Sequence, residues 1–166
     1  MNATQHDWIA SAADAAARAF HVWPTMAACE AALESNYGQS ILARQGLNLF
    51  GMKQHQNPSY ETLNIPTKEY LDGSWTVVNA EWVKYDTLED CFKDRMATLS
   101  RMAPKFPHYA DALAAPDPKS YAVNVSESWS TDPERGAKCI SIFGAYQTWT
   151  PPSNAGDVAS AAVSEG

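Results

Sequence analysis

Apolar residues recur at helical spacing from the start of the chain. Ile9, Ala13, Ala16 and Phe20 lie three to four apart, and Thr4 with Asp7 offers a box-like N-terminal cap. Trp23-Pro24-Thr25 breaks this pattern, and Pro24 suits the first turn of a second helix. That helix is expected over Thr25 to Tyr37, with Met26, Cys29, Leu33 and Asn36 or Tyr37 as its inner stripe, and Gly38 ends it. Leu42-Ala43 begins a short turn. The period then changes. Residues 65–71 alternate, Asp72-Gly73 is a hairpin turn signal, and 75–82 are rich in β-formers. Pro66 suits an edge strand. Thr87 and Asp90 open a third long helix with Phe92, Met96, Leu99 and Ala103 on its buried face, and Pro104 stops it. Short helices follow around Tyr109 and Leu113, then from Asp117-Pro118 through Tyr121 and Val125. Asp132-Pro133 starts the last, with Ala137, Ile140, Phe143 or Gly144, and Tyr146 turned inward. The order helix–helix–loop–hairpin–helices predicts an α+β fold, a helical lobe beside a small β lobe.

Length and composition narrow the choices. Residues 1–149 are expected to form one domain and 150–166, which are rich in Pro, Ser, Gly, Ala and acid, a disordered tail. No apolar run is long enough to insert into a membrane, and residues 1–10 lack the basic and apolar regions of a secretory signal. The net charge of −7 argues against nucleic acid and anionic membrane as partners. Cys29, Cys91 and Cys139 each sit in an apolar helical pattern and read as reduced, buried thiols; one disulfide plus a free thiol is the alternative. The histidines at 6, 21, 55 and 108 have no ligand spacing, so no metal and no cofactor is assigned.

The chemistry concentrates between Ala28 and Lys53. Glu30 and Glu34 share a face near the C-terminal end of an Ala-rich helix. There the helix dipole, a low dielectric and the other carboxylate all oppose ionisation, the setting of a carboxylic acid kept protonated for donation. Read without the following motif, the pair is a solvated acidic edge. Asn48-Leu49-Phe50-Gly51 reads as a tight, partly buried loop in which Asn48 either fixes backbone groups or binds a ligand.

Ala31-Ala32-Leu33-Glu34-Ser35-Asn36-Tyr37-Gly38, a spacer, and Asn48-Leu49-Phe50-Gly51-Met52-Lys53 together resemble the glucosaminidase family of bacterial peptidoglycan hydrolases. The likeness extends to Trp129-Ser130-Thr131-Asp132-Pro133 and covers about residues 20 to 148. It implies a lysozyme-like fold with a glycan cleft between the lobes, and an endo-β-N-acetylglucosaminidase acting on peptidoglycan strands as a monomer. A lytic transglycosylase or muramidase with one catalytic Glu, and a non-catalytic wall-binding module, are the other readings. Glu34 is implied as general acid. Glu69, matched through Thr67-Lys68-Glu69-Tyr70 on a mobile hairpin, is implied as the second carboxylate, either activating water or orienting the substrate's 2-acetamido group. Tyr37, Asn48, Phe50, Tyr70 and Trp129 are expected to bind sugar, with Asp94 and Glu30 in support. At Glu30 the family usually has an amide, so Glu30 is expected to be surface-neutral or a modest modifier of Glu34. At Trp129 it commonly has Tyr, and Glu134-Arg135-Gly136 replaces a further Tyr-bearing step. The absence of an export signal suggests release by a phage holin or a contact-dependent secretion apparatus with its immunity protein, and action on the wall in the periplasm or outside.

Overall fold

In the computed structural model residues 1–54, 60–71 and 74–152 are described, with 67–71, 74, 75 and 78 described by their backbone alone. Seven helices and one hairpin follow in the order α1 (Ala3–Arg18), α2 (Pro24–Ser35), α3 (Ile41–Gly46), β1 (Glu61–Leu71), β2 (Ser74–Lys84), α4 (Leu88–Met102), α5 (Pro107–Leu113), α6 (Pro118–Trp129) and α7 (Arg135–Gln147). The α+β arrangement read from the sequence is the one observed.

Helix α2 lies at the centre, packed on α1, α7 and α6. The expected inner stripe is too narrow. Met26 through Ala32 are all buried, as is Ser35, so the helix is covered on every side. Four alanines in that run let neighbouring backbones come close, and a helix apolar all round belongs in a core. Other starts also differ from expectation. The cap of α1 is Asn2, not Thr4. Asn2 accepts from the Gln5 amide while the Gln5 side chain accepts from the Asn2 amide. Helix α7 begins at Arg135, because Asp132 accepts from the Glu134 amide and holds Pro133-Glu134 as a turn before it. Its buried side is therefore Gly136, Cys139 and Phe143, shifted from the predicted Ala137 and Ile140. Thr87 caps α4 as expected, accepting from the Asp90 amide and donating to its carboxylate.

The hairpin is antiparallel in a register that runs from Glu61 opposite Lys84 to Leu71 opposite Ser74. The turn at Asp72-Gly73 lies outside the described residues. The hairpin base is tied to the helical lobe. The Val83 amide donates to the Met52 carbonyl, the Gln54 amide to Glu81, and the Tyr85 amide to Gly46. Cys29, Cys91 and Cys139 are free and buried, so the reduced reading stands, and burial pushes each thiol up to about 12. No helix among the described residues is long and apolar enough to cross a membrane.

Candidate functional site

Glu34 sits in the last turn of α2, where the chain reverses through three successive left-handed residues, Asn36 (φ 50), Tyr37 (φ 53) and Gly38 (φ 75). Left-handed backbone is unfavourable for residues with a Cβ, so this turn needs pins. Ser35 supplies two, donating from Oγ to the Ala31 carbonyl and accepting from the Gly38 amide. The Tyr37 amide donates to Ala32 and the Ser40 amide to Ser35. Tyr37 meets Trp8 edge-on with ring centres 6.0 Å apart.

Inward of this turn lies a cluster of charges. Glu30 is fully buried, not at the surface as expected. Its Oε1 accepts from Nη2 of Arg95 on α4 at 3.2 Å and pairs with Nη1 of Arg135 on α7 at 2.9 Å. Its Oε2 accepts from the Tyr121 hydroxyl at 3.0 Å. Arg135 also donates from Nη1 to Ser126 Oγ at 2.9 Å, and from Nε to Oε1 of Glu34 at 2.6 Å. Two carboxylates thus face two guanidiniums. Burial alone would push the Glu30 carboxyl up, but Arg95 and then Arg135 outweigh it and hold it below the usual carboxylate range. The neighbour expected at Glu34 was a repelling carboxylate; the neighbour found is a cation standing between Glu34 and Glu30. Glu34 is not sealed in, since its side chain is 28% exposed while those of Glu30 and Arg95 are at 0%.

Beyond Arg95 the cluster meets a cleft. The Trp129 ring lies 3.4 Å above the Arg95 guanidinium carbon, and Phe50 is 4.8 Å away on the same group. Trp129 lines a cavity of about 620 Å³ between the hairpin base and the helical lobe. Met52, Lys53, Trp82 and Val83 form one wall; Asp94, Thr98 and Arg101 of α4, with Tyr109, form the other. Asp94 is held by the Tyr85 hydroxyl at 2.6 Å. Asp94 and Trp129 therefore reach the cleft. Glu34 and Tyr37 are not among its lining residues, and Glu34 is joined to it through Arg135, Glu30 and Arg95.

Asn48 and Phe50, expected to contact sugar, lie in the core and not among the residues that line the cleft. Asn48 donates to the Met52 and Val83 carbonyls and accepts from the Met52 amide, so it fastens the loop to β2 with both amide hydrogens in use. Phe50 is 4% exposed and packs edge-on against Phe92. The backbone of Glu69 pairs with Thr76 in the hairpin; the side chains of Glu69 and Tyr70 lie outside the described residues. Arg95 escaped the sequence reading, and Arg135 was noted only within a segment that departs from the family pattern. Their signal was Glu30 itself, a charge within an otherwise Ala-rich apolar run, and the place of Arg95 between Phe92 and Leu99 on the apolar face of α4. Among the described residues no group of His, Cys, Asp and Glu could hold a metal.

A helical lobe, a two-stranded lobe beside it and a cleft at their junction define a lysozyme-like domain. The chain belongs to the Glucosaminidase family (mannosyl-glycoprotein endo-beta-N-acetylglucosaminidase), whose profile matches residues 10–148. It is 28% identical to an autolysin of Enterococcus faecalis over 95% of this chain and 22% of that protein. It is 31% identical to a probable N-acetylmuramidase of Lactococcus lactis over 83% of this chain and 32% of that one. It thus spans a third or less of the length of these relatives. The catalytic domain of the Listeria monocytogenes autolysin Auto superposes with a TM-score of 0.75 at 24% identity, covering 89% of this chain and 86% of that domain.

Proposed function

We propose that this domain is a peptidoglycan hydrolase, an endo-β-N-acetylglucosaminidase in which Glu34 is the general acid and Glu69 the second carboxylate. The observation that carries the reading is the position of Glu34. Within the stretch matched by the family, it is the half-open carboxylate at the end of the central buried helix. Cleavage of a glycoside needs a proton on the leaving oxygen and stabilisation of charge at the anomeric carbon. Oε1 of Glu34 is engaged by Arg135, which leaves Oε2 to carry the proton. Trp129 offers a sugar ring an aromatic face in the cleft, and Asp94, steadied by Tyr85, offers an acceptor for a hydroxyl or amide hydrogen. The substrate places the work in the cell wall. Muramidase activity is the second reading, favoured by the name of the Lactococcus lactis relative.

Digestion of purified peptidoglycan by the parent and by Glu34→Gln, read by mass spectrometry, tests both. The expected products carry a reducing N-acetylglucosamine end, and the variant loses roughly 10²–10⁴-fold in rate. Reducing muramic ends would support the second reading, and anhydro-muramic ends a lytic transglycosylase. A variant as active as the parent would remove Glu34 from the mechanism.

A further inference from the structure

We propose that Arg135, anchored by Glu30, is the positioning residue of Glu34, and that it grips the acid more tightly after the proton has left than before. The inference deepens the reading of Glu34 as general acid and rests on it. A guanidinium holds a carboxylate side-on through Nε and Nη2, which lie along one edge and can take both oxygens at once. In Arg135 that edge is half used. Nε donates to Oε1 of Glu34 at 2.6 Å, and Nη2 is buried with no hydrogen-bond partner among the described residues. The opposite corner is fully committed, since Nη1 serves Glu30 Oε1 and Ser126 Oγ. So the guanidinium is fixed in place from behind, while one donor on its front edge stays in reserve.

A protonated Glu34 has one oxygen, Oε1, to accept from Nε, and Oε2 carries the O–H. When Oε2 gives its proton to the glycosidic oxygen, the electrons of the breaking bond between that oxygen and the anomeric carbon move onto the oxygen. The leaving sugar departs with a hydroxyl, and the enzyme is left with a carboxylate. Both carboxylate oxygens now accept, and a small rotation of the side chain brings Oε2 to the idle Nη2. This contact is absent from the ground state and forms as charge develops. Interactions of that kind raise kcat and leave KM alone.

Glu30 makes the device workable. Without it, Arg135 would be drawn wholly to Glu34 and would lose its rear anchor. With it, the guanidinium is shared between two carboxylates. The other groups bearing on Glu34 are Arg95 of α4, which acts through Glu30, and Cys139 of α7, a neutral thiol pushed up to about 12. Tyr121 of α6 is also neutral, its hydroxyl pushed well above its ordinary value by burial and by Glu30. Among the described residues no charged group of α1 pairs with Glu34.

The test measures kcat, KM and the pH–rate profile on soluble, uncross-linked peptidoglycan strands for four variants. Arg135→Lys keeps the charge but cannot offer Nε and Nη2 along one edge. Its kcat is expected to fall roughly 10²-fold with KM within about twofold of the parent. Arg135→Gln removes the charge, and the alkaline limb of its profile is expected to move to higher pH. Glu30→Gln frees Arg135 for Glu34 alone, and the same limb is expected to move to lower pH. These opposite displacements are not produced by a scaffold role. If Arg135→Gln does not fold, the charge-balanced Glu30→Gln/Arg135→Gln pair replaces it with the same expectation of a limb at higher pH. Parent-like kcat in Arg135→Lys, or an unmoved limb in the neutral variant, overturns the inference. Glu34→Gln separates the two levels. Activity retained there overturns the reading of Glu34 itself, and activity lost there with Arg135→Lys unaffected overturns only the role of Arg135.

Discussion

Glu30 shows how far one side chain can depend on its partners. Two guanidiniums and a phenol surround it, and none of the three has comparable exposure to water that could take its place. Taking two charges out of water costs more than their attraction returns unless hydrogen bonds complete the set. Here both carboxylate oxygens of Glu30 are engaged, but among the described residues Nε and Nη1 of Arg95 and Nη2 of Arg135 have no hydrogen-bond partner. Stacking between Trp129 and Phe50 partly compensates Arg95. Removing the central charge leaves Arg95 without a carboxylate in the core and leaves Arg135 with Glu34 alone. Glu30→Gln is therefore expected to lose about 3–5 kcal/mol of stability. Chemical denaturation checks this. Glu30→Gln combined with Arg135→Gln removes one charge of each sign, and it should recover part of the loss. Equal stability in Glu30→Gln and the parent would mean that the cluster contributes nothing. The same residue marks what the sequence could not disclose. Its place on the helix was legible, but whether it met water or arginine depended on α4 and α7. Those helices arrive from positions 65 and more residues away.

At the scale of elements, legibility followed the strength of local signals. The hairpin was readable because two β-forming segments flank an Asp-Gly signal, and β1 and β2 pair antiparallel. The caps at Thr87 and Asp117 were readable because a short polar side chain has one job in front of a helix. Boundaries set by competing caps were not. Asn2 and Thr4 both qualify, and the reciprocal bond to Gln5 decides for Asn2. Asp132-Pro133 resembles a helix start, yet it builds a turn that delivers Arg135, rather than Pro133, to the first position of α7. That displacement of the start brings Arg135 onto Glu34. Helix α2 ends at Ser35, short of the expected Tyr37, and Gly38 closes the left-handed turn that follows it. At φ +75 an added Cβ would also lie 2.7 Å from Trp8 Nε1. Gly38→Ala should accordingly cost at least about 1–2 kcal/mol from backbone strain alone. It should also loosen Trp8 against Tyr37, measurable as a lowered melting temperature with changed tryptophan fluorescence. A variant as stable as the parent would show that the left-handed turn is not a fixed support for Glu34.

For the whole molecule, the charge cluster and its neutral neighbour set the response to acid. His21 is buried beside Tyr121 and Phe92, and its Nδ1 accepts from the Trp23 amide. Burial, opposed in part by Glu30, pushes the imidazole down from 6.5 to about 4. An unfolded chain takes up that proton as pH falls below 6.5 and the folded chain does not, so stability is lost between 6.5 and about 4. The loss from this one residue is about 3 kcal/mol. Glu30 acts in the same direction lower down. Its carboxyl is held below the ordinary value in the fold, so its contribution is present above the carboxylate range and disappears as pH falls through it. Melting temperatures taken across this span should decline steadily from near neutral toward acid, and His21→Gln, which keeps an acceptor for Trp23, should flatten the upper part of the decline. An unchanged slope in that variant would show that His21 takes up its proton in the fold. The acid proposed at Glu34 works best protonated, and the scaffold weakens under the same conditions. The fall of activity at the acid end of its profile is then expected to coincide with loss of the fold, and circular dichroism recorded alongside the rate would reveal the coincidence.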